Sequence, residues 1–141
     1  MIELDYEDEA AVEGFVDGTG FFSQSLTELY KDFEARRPTV TEVIPFENGS
    51  ENVPPGKTKI TVFFSEPLNG YNTGVDFGPL GEDYFPPLDS NRTWSDDARS
   101  WTVEADLKPG RQYQILISNN FRKVNGVPLR PFLLEFRTRA E

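Results

Sequence analysis

The sequence predicts an all-β sandwich of about seven strands preceded by one N-terminal amphipathic α-helix. Three observations carry this. From Pro38 to Glu141, short runs with apolar residues at every second position alternate with clusters of Pro, Gly, Asn and Asp, the spacing of an all-β domain. Before Pro38 the period differs: Phe22, Leu26, Leu29, Tyr30 and Phe33 recur at i, i+4, i+7, i+8 and i+11, one face of a helix. Finally, Leu107-Lys-Pro-Gly-Arg-Gln-Tyr113 passes through the turn dipeptide Pro109-Gly110 straight into Gln114-Ile-Leu-Ile-Ser118. Tyr113, Ile115 and Ile117 then share one face, so a core strand is entered through a tight corner.

Taken in order, residues 1–18 carry Glu3, Asp5, Glu7, Asp8, Glu9, Glu13 and Asp17 with no basic residue, and are expected to be a flexible acidic lead. Residues 19–37 hold the helix, with Thr19 or Ser23 as its cap, Arg36-Arg37 complementing its dipole and Pro38 ending it. Its apolar stripe must pack on something, either the sheet that follows or an upstream domain.

The sandwich occupies 38–141. Val40 and Val43 begin a first strand ending at Pro45, and Asn48-Gly-Ser and Pro54-Pro-Gly56 bracket an irregular crossing. Lys59–Ser65 alternates with Ile60, Val62 and Phe64 inward, and Val75 with Phe77 forms a short third strand. Gly78–Asp97, rich in Pro, Gly and Asp, is read as ordered loop or short strands around Tyr84-Phe85 and Arg92–Trp94. Arg99–Ala105 turns Trp101, Val103 and Ala105 inward. Beyond the Tyr113 strand, Asn119–Leu129 is read as a polar connection, and Phe132, Leu134 and Phe136 face inward on the last strand. Tyr113 is expected to turn its ring inward and return its hydroxyl to the backbone near Leu107, the tyrosine corner of immunoglobulin-like sandwiches.

Composition excludes more than it selects. Cysteine and histidine are both absent, which removes disulfides, thiolate metal sites and the usual neutral-pH general base. The net charge of −10 is uneven, with ten acidic against three basic residues in 1–37 and fourteen against eleven in 38–141. Such a surface disfavours nucleic acid and anionic lipid as partners. No apolar run is long enough to span a membrane and no signal segment opens the chain, so Met1 is expected to begin an excised piece of a longer protein.

Three chemistries remain to be weighed. Asp89, Asp96 and Asp97 around Arg92 offer oxygens for a hard cation, but turn formation explains them more simply; the acidic lead with Asp17-Gly-Thr-Gly20 is a candidate interaction tail or calcium site, but lacks the spaced ligands of a calcium motif and is read as a linker or domain edge. Glu66 is the candidate for carboxylate hydrolysis, yet Ser-Glu-Pro is read as a strand end and the chain as no enzyme. Trp94, Tyr84, Phe85 and Tyr71 are read as loop rings, candidates for stacking on sugars, whereas Trp101 is core. Asn48-Gly-Ser50 and Asn91-Arg-Thr93 match glycosylation sequons and are read as turns. No cofactor is called for.

Pro38-Thr-Val40, Phe64-Ser-Glu-Pro-Leu68, Leu107-Lys-Pro-Gly-Arg-Gln-Tyr113, Asn125-Gly-Val-Pro-Leu129 and Leu134-Glu-Phe-Arg-Thr138 follow one another at domain-sized spacing. Together they resemble a bacterial Ig-like domain of the S-layer-protein type, over about residues 38–141. The resemblance implies a seven-stranded Ig-like sandwich from an exported or surface-attached bacterial protein. It also implies a spacer, scaffold or adhesive role beside neighbouring domains, and no catalytic residues. The expected partners are therefore a neighbouring domain of the same parent protein and a cell-surface protein or glycan, with an extracellular, cell-surface or periplasmic location. The segment 78–98 is longer and more acidic than the family pattern, and the helix lies outside it, resembling the closing helix of an upstream domain such as a hydrolase. Because Phe63, Leu116 and Leu133 occupy solvent-side positions, the stripe Phe22, Leu26, Leu29 and Phe33 is expected to dock on Leu116 and Leu133.

Overall fold

A computed structural model describes the backbone of residues 21–140 and the side chains of residues 26–140. The acidic lead, Asp17-Gly-Thr-Gly20, Thr19 and the Phe22 ring lie outside the described residues. The chain divides between Arg37 and Pro38 into two units.

In the first unit, α1 spans Phe21–Ala35. Ser23 sits inside the helix, so it is not the cap that its residue type suggested. At the other end Arg36 pairs with Asp32 one turn back, and Arg37 Nη1 donates to Glu34 Oε1 at 3.0 Å. These pairs hold the last turn where backbone carbonyls run out of partners. Leu29 and Tyr30 are exposed, 59% and 43%, while Leu26 and Phe33 are half-buried.

The second unit is built from seven strands, β1 (Val40–Ile44), β2 (Gly56–Phe64), β3 (Val75–Asp76), β4 (Leu88–Trp94), β5 (Ser100–Leu107), β6 (Gln112–Ile117) and β7 (Phe132–Arg137). They form a four-stranded sheet in the order β1-β2-β5-β4 and a three-stranded sheet in the order β3-β6-β7, with every strand pair antiparallel. Alternation decides which side chains turn inward. Ile60, Val62, Phe64, Trp101, Val103, Ala105 and Leu107 from the larger sheet join Tyr113, Ile115, Ile117, Leu134 and Phe136 from the smaller one in a single buried core. Val40 and Val43 both reach that core although they stand three apart. The register of β1 against β2 shifts between Val40 and Glu42, a bulge that restores the inward side.

Two segments differ from their expected character. Asn119–Leu129 is not wholly polar connection, because Phe121 and Leu129 within it are fully buried. The Phe121 ring stands 5.2 Å from Trp101, 5.5 Å from Phe64 and 5.8 Å from Trp94. Trp94 lies at the end of β4 rather than on a loop, and its ring packs on Phe64 and Phe121.

The crossing after β1 is also more ordered than its composition suggests. Asn48 Oδ1 accepts from the Glu135 N–H at 2.7 Å while Asn48 Nδ2 donates to the Leu133 carbonyl at 3.2 Å. The N–H of Gly49 reaches the Glu135 carbonyl at 2.7 Å, that of Arg137 reaches Ser50 at 2.8 Å, and that of Val53 reaches Arg137 at 3.1 Å. The outer edge of β7 is thus paired along its length, which removes a template for intermolecular strand addition.

At the corner into β6, Tyr113 is buried at 2% exposure and its hydroxyl accepts from the Lys108 N–H at 2.9 Å. Its ring packs on Phe136 at 5.6 Å, so one side chain ties the 108–111 turn to the core. Tyr113→Phe is expected to cost about 0.5–1.5 kcal/mol through the unpaired amide. Tyr113→Ala is expected to cost about 3–5 kcal/mol through lost packing. Urea melts in which neither variant moves the midpoint would remove the corner from the account.

Candidate functional site

The outer face of the β3-β6-β7 sheet carries the densest polar arrangement among the described residues. Antiparallel register sets Gln112 opposite Arg137, Gln114 opposite Glu135 and Leu116 opposite Leu133. Alternation alone would leave all six in water. Gln114 is nevertheless only 4% exposed, because the segment after β3 folds over it. Its Oε1 accepts the Leu80 N–H at 2.9 Å, and its Nε2 donates to Glu135 Oε2 at 2.9 Å. Gln112 Nε2 donates to the same carboxylate oxygen at 2.7 Å. Both amides thereby satisfy a partly buried carboxylate without a cation, and Gln112 Oε1 accepts from Arg137 Nη2 at 3.3 Å.

Gly78 permits this cover. A Cβ at that position would lie 2.9 Å from Gln114 Cβ, 2.5 Å from its Oε1 and 2.9 Å from Leu133 Cδ1. The expected need for a cover over Leu133 is therefore met in part by the chain around Gly78. Past this point a 3-10 turn spans Glu82–Tyr84.

Beside that turn lies a hollow of about 340 Å³ lined by Asp83, Tyr84, Gly110, Arg111, Gln112 and Arg137. Arg111 is held by donating from Nη2 to the Asp83 carbonyl at 2.9 Å and by standing 5.8 Å over the Tyr113 ring. Lys108 and Arg139 belong to the same end of the sheet, where the Gly110 N–H reaches the Arg139 carbonyl at 2.9 Å. None of these four cations lies within ion-pair distance of a carboxylate among the described residues.

The residues singled out from sequence do not converge on one place. Tyr71 is 74% exposed on a loop that Asn69 folds by accepting the Tyr71 and Asn72 amides, both at 3.0 Å. Phe85 packs on Phe77 at 5.3 Å and against the core, and Trp94 is committed to Phe64 and Phe121. Tyr84 alone of the four lines the hollow. Arg111, Gln112 and Arg137, which complete it, were not anticipated. Their signal was polar residues at alternate outward positions of two strands, which is also the signature of an ordinary solvated face.

The acidic loop uses its oxygens locally. Asp89 Oδ1 accepts the Asn91 N–H at 2.8 Å, and Asp97 Oδ1 accepts from Ser95 Oγ at 2.7 Å and from the Arg99 N–H at 3.1 Å. The Ser95 hydroxyl first, then the Arg99 amide, hold the Asp97 carboxyl below its ordinary range. Glu66 forms an ion pair with Lys123 at 3.0 Å. No helix among the described residues is long and apolar enough to cross a membrane.

Comparison with protein-family models matches residues 34–138 to the family described as bacterial Ig-like domain. Among solved structures, the chain is similar to a crystal structure of the S-layer protein rSbsC, with 18% identity over 83% of this chain and 15% of that one and a TM-score of 0.49. It is also similar to surface layer protein SbsC, domains 1-6, with 19% identity over 87% of this chain and 17% of that one and a TM-score of 0.49. The chain spans less than a fifth of either protein. Comparison with curated proteins finds no match.

The close approach at Gly78 is directly testable. Gly78→Ala is expected to destabilise the domain by about 1–3 kcal/mol, because the rigid Gln114 Cβ cannot move aside. A thermal melt unchanged from the parent would show that this loop does not press on the sheet.

Proposed function

Since the chain belongs to the bacterial Ig-like domain family, we propose that it is a non-catalytic structural module of an exported bacterial multidomain protein, supporting or positioning a neighbouring domain. Family membership over residues 34–138 carries the reading. Support also comes from how the polar groups are used. Asn48, Gln112, Gln114 and Glu135 hold segments to the smaller sheet, Asp89 and Asp97 fold their own loop, and Glu66 is engaged by Lys123. A cell-surface or extracellular location follows from the same proposal.

A neighbouring domain fits it as partner. The exposed Leu29 and Tyr30 of α1 offer an apolar surface to a neighbouring domain. From sequence pattern, the stripe with Leu26 and Phe33 is also proposed as the cover for Leu116 and Leu133, each buried side chain contributing about 1.5–3 kcal/mol. Carbohydrate binding is the second reading, favoured by the placement of Tyr84 in a polar hollow.

Cutting the chain before Pro38 separates these roles for the helix. A 38–141 fragment is expected to melt at a lower temperature than the full chain and to bind a hydrophobic dye. Equal stability and no dye binding would assign the helix to the neighbouring domain instead.

A further inference from the structure

We propose that the hollow at the Gly110 end of β6 and β7 binds an acidic sugar, a saccharide ring carrying a carboxylate. The proposal narrows the carbohydrate reading, on which it rests, and adds to the structural role rather than replacing it.

Arg137 lines this hollow. Glu135 stands two residues away on the same face of β7 and is its natural counter-ion. The amides of Gln112 and Gln114 instead both occupy Glu135 Oε2, and Gln112 Oε1 takes one Arg137 donor at 3.3 Å. Gln112 thus stands between the two charges and orients the guanidinium, which has no carboxylate within ion-pair distance among the described residues. Arg111 likewise has no carboxylate in ion-pair range among the described residues: the Asp83 carbonyl accepts from one of its donors and its Cζ stands 5.8 Å from the Tyr113 ring centroid. Two hydrogen-bonded guanidinium groups with no carboxylate in ion-pair range among the described residues therefore line one hollow.

A guanidinium fork recognises a carboxylate through paired hydrogen bonds, so this pair selects for that group. The remaining walls favour a saccharide as its carrier. Tyr84 and Gln112 add an aromatic and an amide side chain to the lining, and a volume of about 340 Å³ accommodates a sugar ring. The overall charge of −10 does not oppose this at close range, because physiological salt screens charges beyond roughly 8 Å.

Isothermal titration of the full chain at physiological salt tests the proposal with trigalacturonate, its carboxyl-reduced counterpart and a hexaglutamate peptide. Trigalacturonate is expected to bind, with the reduced trisaccharide about ten-fold weaker or more. Arg111→Gln and Arg137→Gln should each weaken trigalacturonate about ten-fold while leaving the melting temperature unchanged. Tyr84→Ala should also weaken it, as should raising the salt concentration. Equal binding of the two trisaccharides would overturn the acidic-sugar assignment while leaving carbohydrate binding standing. Absence of binding by both would sink both readings. Hexaglutamate bound as tightly as trigalacturonate would overturn the sugar and assign the hollow to an acidic peptide.

Discussion

A ring from a loop, Phe121, closes the core on which the rest of this module depends. With no cysteine in the chain, no disulfide can hold the strands in register, and buried apolar area supplies the cohesion. Phe121 is fully buried among Trp101, Phe64 and Trp94, rings contributed by β5, β2 and β4. A second cluster joins Tyr113 to Phe136 at 5.6 Å and Phe136 to Phe46 at 4.5 Å. Rings in such tilted and edge-on contacts stabilise beyond their area alone, and the corner hydroxyl of Tyr113 fixes where β6 begins.

Once the core is closed, the surface is occupied by polar groups with structural work to perform. The 48–53 segment pairs the outer edge of β7, and the chain around Gly78 lies over Gln114. An edge that is paired and an outer face that is partly covered suit a module placed among other domains, where an open strand would recruit unwanted partners. The end of the sheet near Gly110 departs from this pattern. Its arginines are positioned by neutral oxygens and a ring, with no carboxylate in ion-pair range among the described residues.

Strand alternation made most of the fold legible, because inward positions such as Ile60, Val62 and Phe64 follow from period two and need no knowledge of neighbours. Phe121 and Leu129 escaped for the opposite reason. Each is an isolated apolar residue in a turn-rich segment, and the Phe121 ring packs on rings 20 or more residues away in sequence. Asn48 looked like a turn residue, and only its contacts with Leu133 and Glu135 show that it pairs a strand edge. Trp94 was misplaced because the β4 register slips between Leu88 and Arg92, which hides the alternation that would have marked a strand. Of the site, Tyr84 alone was visible. Arg111, Gln112 and Arg137 acquire meaning only when β6 and β7 are set side by side.

Chemical denaturation of Phe121→Ala tests the central claim most directly, since it removes the shared ring while leaving every strand sequence intact. A loss of about 3–5 kcal/mol is expected, the usual cost of deleting a fully buried phenyl group. A loss below about 1 kcal/mol, the range of an ordinary surface substitution, would contradict it.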